Sequence, residues 1–278
     1  MNMLVLGGDA RSAYLSQLAA ENGWRVQARY LELFEEALPQ MQMDGQYDVV
    51  VLPYPVCEKD GLLFTPFCGR QVSMREVLPE TAKARCVSGG RGARLWVVGA
   101  YDPGEDKGFV MENAEITAEG AVFCAMRDGK GEIMRSRCVI LGCGRIARFL
   151  AHKLDHLGAD VVIAARKAAD RAYARASGWQ AISFDIQELG DALAQAAFIF
   201  NTVPQPVLGQ KLLARIPAKA TLYELASAPY GFSMEEALHM GINARLESGL
   251  PGKYAPYAAA QAMLHLIERR VKEAEAHA

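Results

Sequence analysis

Residues 138–166 read CVILGCGRIARFLAHKLDHLGADVVIAAR, and this stretch decides the fold. The apolar run Cys138–Leu141 passes directly into Gly142-Cys143-Gly144-Arg145-Ile146-Ala147. Ile146, Phe149, Leu150, Leu154 and Leu157 then recur at helical spacing, and a glycine and a second apolar run follow. Strand, glycine-rich turn, helix, strand is a parallel crossover unit. In that setting the pattern G-x-G-x-x-[GA] has a physical meaning. Gly142 permits a tight turn, Gly144 lets the backbone approach a pyrophosphate, and Ala147 lets the helix lie close on the sheet. The amides and the positive helix end at this turn favour a diphosphate.

Working outward, the same pattern occurs a second time. Residues 3–31, MLVLGGDARSAYLSQLAAENGWRVQARYL, run strand, turn, helix, glycine, strand, and the interval Gly7 to Gly23 equals that from Gly142 to Gly158. Further apolar runs at 48–55, 95–100, 198–203 and 221–226 read as buried strands between helical stretches. The expected fold is α/β: two tandem Rossmann-like, doubly wound parallel-sheet domains in a 2-hydroxyacid-dehydrogenase-like arrangement. Residues 1–115 are expected to form a flavodoxin/Rossmann-like substrate domain and 116–252 a nucleotide-binding Rossmann domain. The join falls near 102–120, where a turn-like DPGEDKG precedes a helix over 116–128. Residues 253–278 carry Ala259, Met263, Leu266, Ile267 and Val271 on one helical face, and this helix is expected to return to the first domain.

The two turns differ where it matters. In Gly7-Gly8-Asp9-Ala10-Arg11 an aspartate stands where the second copy has Gly144. Its carboxylate would repel a pyrophosphate, so only the second half is expected to take a dinucleotide. The second strand of that half ends in Ala164-Ala165-Arg166-Lys167. NAD sites place an acid there for the ribose 2′-hydroxyl; two cations instead suit a 2′-phosphate, and NADP is expected over NAD.

Composition narrows the remaining classes. The 278 residues are 51% hydrophobic with a net charge of −2, which supplies no field for nucleic acid or an anionic membrane. Apolar runs are too short to span a bilayer, and glycines and Asp9 interrupt the opening too early for a secretory signal, so a cytoplasmic protein is expected. The six cysteines lack paired spacing and read as reduced, with no metal site. His152 and His156 stand four apart but on the polar side of their helix, without an H-E-x-x-H context.

Several segments together resemble the A subunit of dipicolinate synthase: LGCGRIARFLA (141–151), FNTVP (200–204), ELASAPYG (224–231), SGLPGKYAPYAAAQ (248–261), GGDAR (7–11) and ITAEGA (116–121). The resemblance implies an NADP-dependent oxidoreductase of a sporulating bacterium's mother cell, partnered by the flavoprotein-like B subunit of dipicolinate synthase. Its substrate would be dihydrodipicolinate, formed from the dihydrodipicolinate synthase product and dehydrogenated to pyridine-2,6-dicarboxylate. The pattern is broken at Ala228-Pro229-Tyr230-Gly231-Phe232-Ser233, where x-P-G-G-x-D is expected, and after GLPGKYAP, where Thr-Ala-Gly is usual and this chain has Tyr257-Ala258-Ala259-Ala260. Two alternatives stay open: a non-catalytic nucleotide-binding partner of the flavoprotein, and a dehydrogenase of another small acid. Related two-domain dehydrogenases pair, so a homodimer is compatible.

Ligands of open α/β sheets lie beyond the carboxyl ends of the strands. Cofactor contacts are therefore expected from Gly142, Gly144, Arg145, Ile146, Ala147, Arg166, Lys167, Thr202, Val203 and Pro204. Substrate contacts are expected from Asp9, Arg11, Ser227, Pro229, Gly249, Leu250, Pro251 and Lys253, with Arg91 a further cation for a dicarboxylate. Asn201, Ser227 and Glu119 are the catalytic candidates, and Glu224 could also carry a proton. No histidine stands in a strand-end loop, and the Arg and acid–histidine pair of 2-hydroxyacid dehydrogenases has no counterpart, which argues against hydroxyacid oxidation.

Overall fold

A computed structural model describes residues 1–276 apart from 42, 44, 58–60 and 91, with the backbone alone at 274 and 275. The chain divides into two compact units, Met1–Asn113 with Pro251–Ala278, and Ala114–Leu250.

In the first unit the elements are β1 (Asn2–Leu6), α1 (Ala10–Glu21), β2 (Arg25–Arg29), β3 (Tyr47–Val51), α2 (Met74–Thr81) and β4 (Ala84–Ser88). The four strands are all parallel, in the order β2-β1-β3-β4. That order is the start of a flavodoxin-like sheet. Met3, Val5, Val49 and Val51 point to one face of it and Leu4, Leu6, Val50 and Leu52 to the other, as the two-residue period of a strand requires. Both faces are covered, which is why these strands read as unbroken apolar runs.

The helix α3 (Lys107–Asp128) begins in the first unit and continues into the second. There follow β5 (Arg137–Leu141), α4 (Arg145–His156), β6 (Asp160–Ala164), α5 (Ala168–Ala176), β7 (Gln180–Ile182), α6 (Ile186–Ala194) and β8 (Phe198–Asn201). The remaining elements are α7 (Gln210–Leu213), β9 (Thr221–Glu224), α8 (Met234–His239), β10 (Asn243–Leu246), α9 (Leu250–Tyr254) and α10 (Pro256–Ala276). The second sheet runs β10-β9-β8-β5-β6-β7, all parallel. Counted from β5, this is the 3-2-1-4-5-6 order of a dinucleotide-binding sheet, with its switch point between β5 and β8. The expected α/β class with two parallel sheets is thus borne out.

The apolar stripe of α10 is satisfied within the first unit. Ala260, Met263, Leu266 and Ile267 pack into the core beside Leu15, Leu18 and Ala19 of α1. Arg269 of α10 also pairs with Asp106, at 2.7 Å.

One expected strand is absent. The run Leu95–Ala100 is an irregular turn following a short 3-10 segment, Ala93–Leu95, and Leu95 and Val98 are largely exposed. The fourth strand is instead Ala84–Ser88, whose Arg85 interrupts the apolar pattern. It is an edge strand, so its outer residues need not be apolar. Among the described residues no helix is long and apolar enough to cross a membrane.

Candidate functional site

The turn between β5 and α4 is built as the spacing predicts. Gly142 adopts φ +100, a left-handed conformation that side chains rarely accept, and an added Cβ would lie 2.6 Å from Thr202 Oγ1. Thr202 closes this approach: its hydroxyl donates to the Leu141 carbonyl at 2.7 Å and its backbone N–H to the same oxygen at 3.0 Å. Gly144 is different. It caps α4 in an extended conformation, φ −75 and ψ −173, no side chain caps the helix, and a Cβ there would meet nothing within 4 Å. The ledge over the helix start is therefore open, and amides at such an end attract anions. Arg145 is exposed, Ile146 half-buried against the core, and Ala147 wholly buried where the helix meets the sheet.

Beside this ledge lies a cavity of about 360 Å³. Its walls are Gly142 and Cys143, Ala165-Arg166-Lys167 at the end of β6, Asp170, Phe184, Val203 and Gln205-Pro206-Val207. Arg166 and Lys167 are exposed, and Lys167 caps α5. Asp170 supplies a carboxylate to the wall, and Arg148 answers it. Arg148 Nη2 donates to Asp170 Oδ1 at 3.2 Å, its Nε donates to the Cys143 carbonyl at 2.9 Å, and its guanidinium lies 4.0 Å over the Tyr173 ring. Residue reading missed Arg148, Asp170, Phe184 and 205–207. Only Arg148 had a signal, its place one turn past Gly144. Pro204 is exposed and does not line the cavity. These residues fit the adenosine and diphosphate of a nicotinamide dinucleotide: a recess for the base and an uncapped helix end for the diphosphate, with two exposed cations at the rim.

The corresponding turn of the first unit is closed. The Gly8 N–H donates to the Phe64 carbonyl at 2.8 Å, and the Asp9 carboxylate caps α1 through the Arg11 N–H. Arg11, expected as a substrate cation, is engaged in an ion pair. It is buried, its Nε and Nη2 bind Asp9 at 2.9 and 2.7 Å, and Nη2 also donates to the Tyr54 carbonyl. Gly252 lies against this pair, which brings the GGDAR and GLPGK segments together. Lys253 is exposed and Pro251 buried. Arg91 lies outside the described residues.

At the carboxyl end of β9, Ser227 and Pro229 are exposed in the loop 225–231. Tyr230 there has φ +65, the left-handed conformation for which the resemblance expects a glycine. Gly249 is exposed with φ +68, and Leu250 is buried. Two of the catalytic candidates, Glu119 and Asn201, have their own partners. Glu119 stands on the exposed side of α3, 3.5 Å from Lys153, which lies two turns along α4 from the glycine ledge. Asn201 is wholly buried, and its amide is committed: Nδ2 donates to Glu224 Oε1 at 2.7 Å and to the Val203 carbonyl at 2.9 Å, while Oδ1 accepts from the Val203 N–H at 3.1 Å. Burial and these hydrogen bonds tie it to Glu224 and to the loop that follows β8.

His152 and His156 are both exposed, and His152 packs edge-on to Trp179 at 4.7 Å. Among the described residues no group of three metal-ligating side chains converges.

Residues 2–96 match the family model for the N-terminal domain of the dipicolinate synthase A subunit. The chain is 27% identical to the A subunit of dipicolinate synthase from Bacillus subtilis (strain 168), an alignment covering 99% of this chain and 97% of that protein. The crystal structure of the same subunit from Bacillus halodurans superposes with a TM-score of 0.85 at 22% identity, over 97% of each chain. An L-alanine dehydrogenase shares the fold at a TM-score of 0.64 and 14% identity, over 99% of this chain and 90% of that one. The resemblance read from the motifs thus extends along the whole chain.

Proposed function

We propose that this chain, similar from end to end to the A subunit of dipicolinate synthase, is an NADP-dependent oxidoreductase that dehydrogenates dihydrodipicolinate to pyridine-2,6-dicarboxylate. The observation that carries the reading is the open ledge at Gly144, which continues into a cavity bordered by Arg166 and Lys167. A diphosphate on the uncapped helix end and a 2′-phosphate between the two cations would satisfy both features. Gly142, Arg145, Ile146, Thr202 and Val203 complete the nucleotide contacts in this reading, while buried Ala147 seats the helix on the sheet and Pro204 follows the cavity wall.

The reaction balances without further reagents. Loss of water from the dihydrodipicolinate synthase product leaves dihydrodipicolinate, which gives up one hydride and one proton as its ring becomes aromatic. NADP+, when bound, accepts the hydride. Aromatisation supplies driving force, so the protein's main tasks are to hold a dicarboxylate and exclude water. Exposed Ser227 is the second unit's side chain proposed to meet a carboxylate, with Pro229, Gly249 and Leu250 in the neighbouring loops, and exposed Lys253 is the first unit's, with Asp9 and Pro251. The Asp9–Arg11 pair serves the Gly252 segment as a rigid support.

The test is to mix the protein with dihydrodipicolinate synthase, its substrates and NADP+, with and without the flavoprotein-like B subunit. Dipicolinate absorbance is expected to appear; its absence from both mixtures, with cofactor binding verified, would overturn the proposal. A non-catalytic, nucleotide-binding partner of that flavoprotein is the second reading, favoured by the burial of Asn201 and the distant place of Glu119. Hydride transfer by the isolated chain would eliminate it.

A further inference from the structure

Glu224 closes β9 with a side chain only 1% exposed, and the proposed reaction makes no use of it. A buried carboxylate is costly unless every lone pair facing the protein is met. Here three N–H groups meet it: Asn201 Nδ2 and the Ala226 amide donate to Oε1 at 2.7 and 2.9 Å, and the Gly231 amide donates to Oε2 at 2.8 Å. The donors come from the end of β8 and from both ends of the loop 225–231.

Each outer donor is tied in turn to the nucleotide cavity. Asn201 grips Val203 through both amide atoms. The Gly231 carbonyl accepts from Val207 and Leu208 at 2.7 and 3.0 Å. Val203 and Val207 both line the cavity beside Gly142. Gly231 has no room for a side chain, since a Cβ would collide with the Asn201 amide.

We propose that Glu224 is a positioning residue, whose carboxylate holds two walls of the nucleotide cavity and the Ser227 loop in one arrangement. The proposal rests on the proposed function for the identity of the nucleotide and for nothing else. Only an ionised carboxylate accepts from three donors without presenting a hydrogen of its own. A glutamine would turn one oxygen into an NH2 and set it against a backbone or Asn201 N–H. Burial is the largest influence on Glu224 and raises its pKa, against the lowering effect of Gly231, Asn201 and Ala226; no charged side chain figures among the causes. As pH falls, this group therefore protonates before an ordinary exposed glutamate.

The experiment compares wild type with Glu224→Gln and Glu224→Asp by NADPH titration from pH 5 to 8.5. Hydrogen exchange at Ala226 and Gly231 is followed in parallel, without ligand. For a folded Glu224→Gln variant, affinity at pH 8 is expected to fall by about tenfold or more. The ratio of variant to wild-type dissociation constants should move toward one as pH falls, because the wild-type carboxyl then takes up a proton. Exchange at both amides should quicken by a similar factor, and Glu224→Asp, which keeps the charge, should recover part of each loss. Should the Gln variant fail to fold, the Asp variant carries the test, with intermediate losses expected. Affinity within twofold of wild type at pH 8 overturns the proposal, as does exchange that is unchanged. A wild type that binds no pyridine nucleotide defeats the proposed function instead, and unchanged exchange would still overturn the role of Glu224.

Discussion

Gly252 packs so closely on the Asp9–Arg11 ion pair that a methyl group at this position would lie 2.8 Å from Arg11 Nε and closer still to the Asp9 carboxylate. Glycine to alanine inside a helix ordinarily stabilises by about 0.5–1 kcal/mol. Here the sign should reverse, because Arg11 is pinned from several sides, by Asp9 and by the Tyr54 carbonyl. Gly252→Ala is expected to destabilise the protein by about 1–3 kcal/mol, the usual cost of overpacking. Urea denaturation measures it, and a variant as stable as wild type would show that the pair yields freely.

The two glycines of the nucleotide turn should part company under substitution. Gly142 combines φ +100 with the Thr202 hydroxyl at 2.6 Å, so Gly142→Ala is expected to cost about 2–4 kcal/mol through backbone strain and a displaced hydrogen bond. Gly144 has ordinary dihedral angles and open space. Gly144→Asp would rebuild the first unit's turn, where Asp9 caps its helix. It should leave the free protein unchanged or a few tenths of a kcal/mol more stable, since glycine is itself a tolerated N-cap. NADPH affinity should nonetheless fall by about 100-fold or more, since a carboxylate would face the diphosphate. A melting curve and a binding titration decide both halves.

Arg166→Ala and Lys167→Ala test the assignment of the third phosphate. Each removes an exposed cation from the cavity rim. Loss of one charge-assisted contact of about 1.5–3 kcal/mol would weaken NADPH about tenfold or more while leaving NADH nearly unchanged. The effect should shrink as salt is raised, because these side chains are solvent-exposed. An unaltered ratio of the two affinities would remove both residues from cofactor choice.

What could be read in the residues follows how local the responsible physics is. The unit β5-α4-β6 was legible because turn, helix face and strands all sit within 138–166. The exposed Leu95 and Val98 misled because apolar residues that point to solvent have no sequence signature distinguishing them from buried ones. The edge strands β7 and β10 are short and partly exposed, so neither carries a strong apolar pattern. Asn201 was placed at a strand end, but its partners there were not legible. Its burial depends on Glu224, 23 positions later, a pairing made only when β8 and β9 lie side by side. Arg148 and Asp170 illustrate the same limit, since an acid at the cavity wall matters only through the cation that answers it.

Stability at alkaline pH should depend on Cys138. This thiol is wholly buried in β5, and burial pushes its pKa up to about 12, with Asp160 adding to the effect. An unfolded cysteine ionises near 8.5. The folded pKa lies above the unfolded one, so the thiol's contribution is fully present below pH of about 8.5 and is lost as pH rises toward 12. Between those limits each pH unit costs the wild type about 1.4 kcal/mol through this one group. Cys138→Ala removes the titration and leaves a small cavity, with a cost that does not vary with pH. The variant should therefore be less stable than wild type at pH 7, and the gap should narrow steadily above pH of about 9. Reversible denaturation under reducing conditions at pH 7, 9 and 10 measures it. A gap that stays constant would mean that the folded and unfolded thiols titrate alike.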